Sequence, residues 1–242
     1  MARTDRGMLG VLGGMGPLAS AEFLRTLYDD NGHEEEQGLP AVVVYSDPAI
    51  PDRTSHFLRG EEEAVLGPLA AALRRLREAG STRIVICCFT AHHLVPRLPD
   101  DLRPLVWSLV EEALAGVARC GGRREDGAPL RYLMVCSTGA RRLGLFHGHP
   151  LWPEVEDRVV WPDEEDQDRV HAHLYRLKHS TDARPLAELV REMMVRYGAD
   201  AFVAGCSEVH MVARHLSACA PDVRCVDPMG RIARQLAEEH AR

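Results

Sequence analysis

Two cysteines, Cys88 and Cys206, hold equivalent places in two similar segments, GSTRIVICCFTAHH and GADAFVAGCSEVHM. Each lies eight residues after a glycine, Gly80 or Gly198, and four residues before a histidine, His92 or His210. The apolar run before each cysteine reads as a buried strand, so each sulfur stands at the C-terminal end of a parallel strand. Open α/β sheets hold their ligands there. Two such halves, related by a pseudo-dyad, would face their sulfurs across one cleft. Facing thiols can act as thiolate base and thiol acid on opposite sides of one carbon, the geometry that inversion of a stereocentre needs. An ordinary thiol, with a pKa near ~8.5, is only ~3% ionised at pH 7. The site must therefore favour a thiolate, and helix N-termini and backbone amides after each strand are suited to that. An α-proton with no electron sink is very weakly acidic, so desolvation and donors around a substrate carboxylate carry much of the barrier.

The elements that position these residues alternate between β-rich and helical stretches, the pattern of a parallel-sheet α/β fold. Strands are predicted at Met8–Leu12, Ala41–Tyr45, Ile84–Cys87, Tyr132–Val135, Ala201–Ala204 and Val223–Val226. Helices are predicted at Ala19–Tyr28, through Val65, Leu69, Leu73 and Leu76, and over Leu102–Val117. Others are predicted at Val170–Lys178, Leu186–Tyr197 and Gly230–His240. The polar stretch Cys120–Pro129, with three glycines and a proline, is the best boundary in the chain. Two similar α/β domains are expected, residues 1–120 and 121–227, with helix 228–242 packing back on the first. The active site is expected in the cleft between them. Trp152-Pro153 and Trp161-Pro162 flank an insertion that would cover the cleft or make a dimer contact. Asp163–Asp168 (DEEDQD) reads as a solvated loop.

Composition removes several alternatives. The chain has 242 residues and a formal net charge of −7, which argues against a nucleic-acid binder. No apolar run approaches a membrane span, and the opening MARTDRGMLG does not read as a signal peptide. Seven cysteines at irregular spacing fit a reduced, cytoplasmic protein better than a disulfide framework. Only one of 29 basic residues is a lysine, so any Schiff-base cofactor would have to use Lys178. Cys87-Cys88 with His92-His93 does not match the usual zinc spacings, and no metal is expected. Cys87, Cys120, Cys136, Cys219 and Cys225 are read as structural. The turn Gly13-Gly14-Met15-Gly16-Pro17 is a poor dinucleotide fingerprint and reads better as an anion-holding turn at a helix N-terminus.

Five motifs in order then resemble the aspartate/glutamate racemase family over nearly the whole chain: LGVLGGMGPLAS, VYSDPAIPDRT, CCFTAHH, GCSEV and VDP. The resemblance implies a cofactor-independent racemase or epimerase of an acidic amino acid or close derivative, with Cys88 and Cys206 as its two acid/bases. It implies that Arg53 and Lys178 bind a distal carboxylate, and that Met15, Gly16, Thr90, Ser137, Ser207 and Glu208 line the site. The implied partner is a small-molecule substrate, with a homodimer as the compatible assembly. Two departures stand out. Phe89 replaces an asparagine that donates to the substrate, and in CSTGARRLGLF Ser137 and Ala140 replace threonines. Hydantoin-racemase relatives also carry phenylalanine after the first cysteine. A hydantoin-type racemase, or another isomerase or tailoring enzyme of secondary metabolism, is therefore the alternative. A silent binder of an acidic metabolite and a metal-dependent hydrolase are more distant ones.

Overall fold

A computed structural model describes residues 7–29 and 36–240. The first six residues, which open the chain before the first strand, and the last two of the expected closing helix lie outside the described residues. Two wholly parallel sheets organise the molecule. The first has strand order β2-β1-β3, from β1 (Met8–Gly13), β2 (Val42–Ser46) and β3 (Ser81–Ile86). The second has order β5-β4-β6-β7, from β4 (Tyr132–Cys136), β5 (Val159–Val160), β6 (Ala201–Gly205) and β7 (Arg224–Val226). In each sheet the chain leaves a central strand, pairs on one side, and returns to pair on the other. That reversal creates a crevice beyond the carboxyl ends of β1 and β3, and of β4 and β6. The central strands β4 and β6 are buried at every residue, which is why they read as unbroken apolar runs.

Nine helices connect and cover the strands among the described residues: α1 (Pro17–Asp29), α2 (Arg53–Leu58), α3 (Glu63–Glu78), α4 (Leu109–Arg119), α5 (Thr138–Arg142), α6 (Glu164–Leu177), α7 (Arg184–Tyr197), α8 (Ser207–Cys219) and α9 (Pro228–His240). The closing helix α9 packs against α1 and α4. The largest apolar cluster joins Leu9, Val11 and Phe23 to Tyr132, Met134 and Val203, and α9 adds Ile232 and Leu236. One core thus runs from the first sheet to the second and fixes the two crevices relative to each other.

Two expectations need correction. The stretch Leu102–Val117 is not one helix. A short 3-10 turn spans Arg103–Leu105, Val106 bridges to Ile84, and α4 starts at Leu109 because Ser108 caps it by accepting from the Glu111 N–H. DEEDQD is not a solvated loop. Asp163 caps α6 by accepting from the Asp166 N–H, and the acidic first turn suits the positive end of the helix. Asp166 itself is fully buried and accepts from Arg169, Arg196 and Tyr197. Trp152 and Trp161 pack with Phe146 and His147 against the main core, because that apolar area is better removed from water there.

Candidate active site

Cys88 follows β3, and a 3-10 helix over Thr90–Arg97 begins just after it. Cys206 follows β6 and is the N-cap residue of α8. Both sulfur-bearing residues line one small cavity, together with Met15, Arg53, Thr90, Ser137, Lys178 and Glu208. Eight of the ten residues expected from the sequence therefore meet at one place. Gly16 lines an adjoining outer pocket instead. Ser207 is buried behind the cavity, where its hydroxyl donates to Glu208 Oε2 at 3.2 Å.

Arg53 is buried at the start of α2, and its guanidinium is tied to backbone carbonyls. Nη1 donates to Ile50 and Pro51, and Nη2 donates to Met15 at 2.9 Å. A guanidinium has five N–H donors, so Nε and one proton of Nη2 remain for the site. Nε is buried without a partner. Burial works against the Arg53 charge, but the charge and hydrogen-bonding reach of Cys88, with Asp52 and Glu208 behind, more than offset it and raise its pKa.

The Cys206 thiol has the opposite neighbour. Its Sγ donates to Glu208 Oε2 at 2.9 Å. Burial and the Glu208 carboxylate push this thiol well above its ordinary range, outweighing the Glu208 backbone N–H at the helix start. The other carboxylate oxygen, Oε1, is buried without a partner. It lies against Gly16, where a Cβ would come within 2.2 Å of it, so only glycine leaves the room. Gly139 permits a second close approach: a Cβ there would meet Thr54 Oγ1 at 2.5 Å, so α2 and α5 pack closely only without one. Thr90 and Ser137 hydrogen-bond to each other at 3.0 Å, joining the loop after β3 to the loop after β4.

Several motif residues lie outside the cavity. Phe89 turns its ring into the main core against Phe146 and His92 and does not line the cavity. His92 accepts from the Leu109 N–H at Nε2, which leaves Nδ1–H to donate to the Cys88 carbonyl at 2.9 Å. Burial pushes His92 down to about 4, and it acts as a neutral brace between the Cys88 loop and α4. His210 joins Thr26 to Asp227 and is equally remote. Cys87 is fully buried, and His93 pairs with Glu62.

Sequence reasoning missed Asp52, Thr54, Leu174 and Tyr175 as cavity residues. Two signals were available. Asp52 directly precedes Arg53 in the PDRT motif, and Tyr175 lies three residues before Lys178, hence on the same helix face. Asp52 Oδ1 caps α2 through the Ser55 N–H at 2.8 Å. Its Oδ2 accepts from the Tyr175 hydroxyl at 2.8 Å and from Lys178 Nζ at 3.4 Å. Burial opposes ionisation, but the Ser55 and Tyr175 hydrogen bonds and the Lys178 charge hold this carboxyl well below the usual range.

Chemically, the cavity brings together two sulfurs, the Arg53 guanidinium and a carboxylate that accepts from one of the thiols. No helix among the described residues is long and apolar enough to cross a membrane. The family model for Asp/Glu/Hydantoin racemase matches residues 12–236. The structure is similar to the aspartate racemase of Picrophilus torridus, with 20% identity, a TM-score of 0.78, and coverage of 97% of this chain and 94% of that one. It is also similar to glutamate racemase from Campylobacter jejuni (16% identity, TM-score 0.56, coverage 96% and 85%). For allantoin racemase from Klebsiella pneumoniae the values are 16%, 0.54, and 97% and 88%. At such identities these likenesses are of fold, while the match to the family model covers most of the chain. The chain belongs to the Asp/Glu/hydantoin racemase family and is an isomerase, a racemase.

Proposed function

We propose that this racemase is cofactor-independent and acts on an acidic amino acid or close derivative, by two-base proton transfer between Cys88 and Cys206. The observation that carries the reading is the shared cavity, with Arg53 beside one sulfur and Glu208 bonded to the other. The Cys88 thiolate, with Arg53 as its counter-charge, takes the α-proton. The electron pair left on the α-carbon delocalises into the substrate carboxylate, and the Cys206 thiol delivers its proton to the opposite face. The products are the inverted amino acid, a Cys88 thiol and a Cys206 thiolate, and the reverse reaction starts from that form.

The unpartnered groups fit the same substrate. Glu208 Oε1 is an acceptor with no donor, suited to an α-ammonium, and the Arg53 Nε–H is a donor with no acceptor, suited to a carboxylate oxygen. Leaving either buried and unpaired costs roughly 1–3 kcal/mol, so a ligand that satisfies both is favoured. Lys178 would meet a distal carboxylate. The likeness to aspartate and glutamate racemases supports an acidic substrate. The likeness to an allantoin racemase favours a hydantoin-type substrate as the second reading, since a ring N–H would also satisfy Glu208.

The test is racemisation of L-aspartate and L-glutamate, followed by polarimetry. Cys88→Ser and Cys206→Ser are each expected to lower turnover by about 10²–10⁴-fold, the range for loss of a positioned acid or base. Full turnover in either variant would end the two-thiol mechanism. Turnover of hydantoins alone would select the second reading.

A further inference from the structure

We infer that Asp52 is a specificity-determining residue: a resident carboxylate on Lys178 and Tyr175 that a dicarboxylate substrate must displace. The inference rests on the acidic-substrate reading above and deepens it. The Tyr175 hydroxyl and Lys178 ammonium converge on one oxygen, Asp52 Oδ2, and the ammonium also lies 3.9 Å from the centre of the Tyr175 ring. Two donors on one carboxylate oxygen are what a substrate's distal carboxylate would be offered. Asp52 belongs to the segment entering α2, whereas Tyr175 and Lys178 stand at the end of α6, so the contact spans the cleft.

Two further observations make this contact a barrier. Met15, Asp52, Arg53 and Lys178 line both the inner cavity and an outer pocket of about 410 Å³, so they form the wall between them. The inner cavity measures only about 20 Å³, room for about one water molecule and far short of an amino acid. A substrate entering from the outer pocket has to part these residues. Charge leads to the same residue. The cations lining the cavity are Arg53 and Lys178. Arg53 gives three of its N–H groups to carbonyls and keeps its unpartnered Nε–H for a first carboxylate, while Lys178 is paired with Asp52. A second substrate carboxylate finds a cation only by replacing Asp52, and beside an undisplaced Asp52 it meets a like charge.

Asp52→Asn removes the charge and keeps the cap on α2, since asparagine caps as well as aspartate. Titration calorimetry with succinate, a dicarboxylate with no amino group to react, is expected to show about tenfold tighter binding to Asp52→Asn than to the unsubstituted protein, the order set by removing one like-charge contact. Butyrate, which lacks the second carboxylate, is expected to bind both proteins equally. Asp52→Ser caps α2 comparably and should give the same gain. Adding Lys178→Met should abolish the gain. Unchanged or weaker succinate binding in both Asp52 variants, or an equal gain for butyrate, would overturn the inference. If succinate binding tightens as expected while no acidic amino acid is racemised, the inference stands as a property of the site and the substrate reading fails.

Discussion

In the first half of the molecule the sulfur at the strand end shares its cavity with the Arg53 guanidinium, and in the second half its counterpart donates to a carboxylate. The residue after each cysteine differs as sharply. Phe89 turns into the core, whereas Ser207 hydrogen-bonds to Glu208. Two residues past the sulfur, neutral Thr90 matches charged Glu208. The following helices differ too: a 3-10 helix containing Pro96 on one side, and the thirteen-residue α8 on the other. A repeated scaffold thus supplies equal positions, and unlike neighbours, Arg53 from outside the repeat and Glu208 from within it, give them opposite character. Inversion at carbon needs that asymmetry, because one group must start as base while the other starts as acid.

The comparison can be broken at Phe89. Because its ring is buried in the core, Phe89→Asn places an unpaired amide there, and unfolding in urea should show a loss of about 3–5 kcal/mol. A stable variant with altered substrate preference would instead return this residue to the cavity wall. The histidines differ next. His92 resists protonation in the folded state until about pH 4, while the unfolded chain takes up that proton near 6.5. The unfolded state therefore binds more protons between those values, so stability should fall as pH drops from about 6.5 to 4, by up to about 3 kcal/mol, and level off below. Urea unfolding at pH 7 and pH 4.5 checks this, and His92→Gln should lose that part of the slope. The smallest effect is expected at Glu208→Gln. Removing the carboxylate lets the Cys206 thiol fall toward its ordinary range, so the acid ionises at lower pH. The basic limb of kcat/KM should move down in pH, with about a tenfold loss at neutral pH for one missing charge-assisted hydrogen bond. An unmoved limb would detach Glu208 from Cys206.

The pair of cysteines was legible because a repeat writes equivalent positions at equal spacing, and β3 and β6 must end alike for that spacing to hold. Arg53 and Lys178 were legible only through the motif resemblance. Asp52 and Tyr175 were legible only as neighbours of Arg53 and Lys178; their meeting depends on how α2 and the end of α6 face across the cleft, and no local pattern encodes that. The packing of Phe89 was not legible, because a motif position does not say which way a side chain leaves the turn after a strand. The DEEDQD stretch was misread for a different reason: its Asp163–Asp166 spacing is a helix start, and it was weighed by charge alone.

The central claim is that two different sulfurs remove and return the proton. Racemisation started from one antipode in D₂O and stopped early tests it most directly, with α-deuterium measured separately in substrate and product. The account predicts deuterium in the product from the first turnovers, because the Cys206 thiol carries solvent deuterium, while unreacted substrate keeps its protium. Product that retains the substrate's own α-proton, or deuterium entering both antipodes equally from the start, would mean that a single group serves both faces and would contradict it.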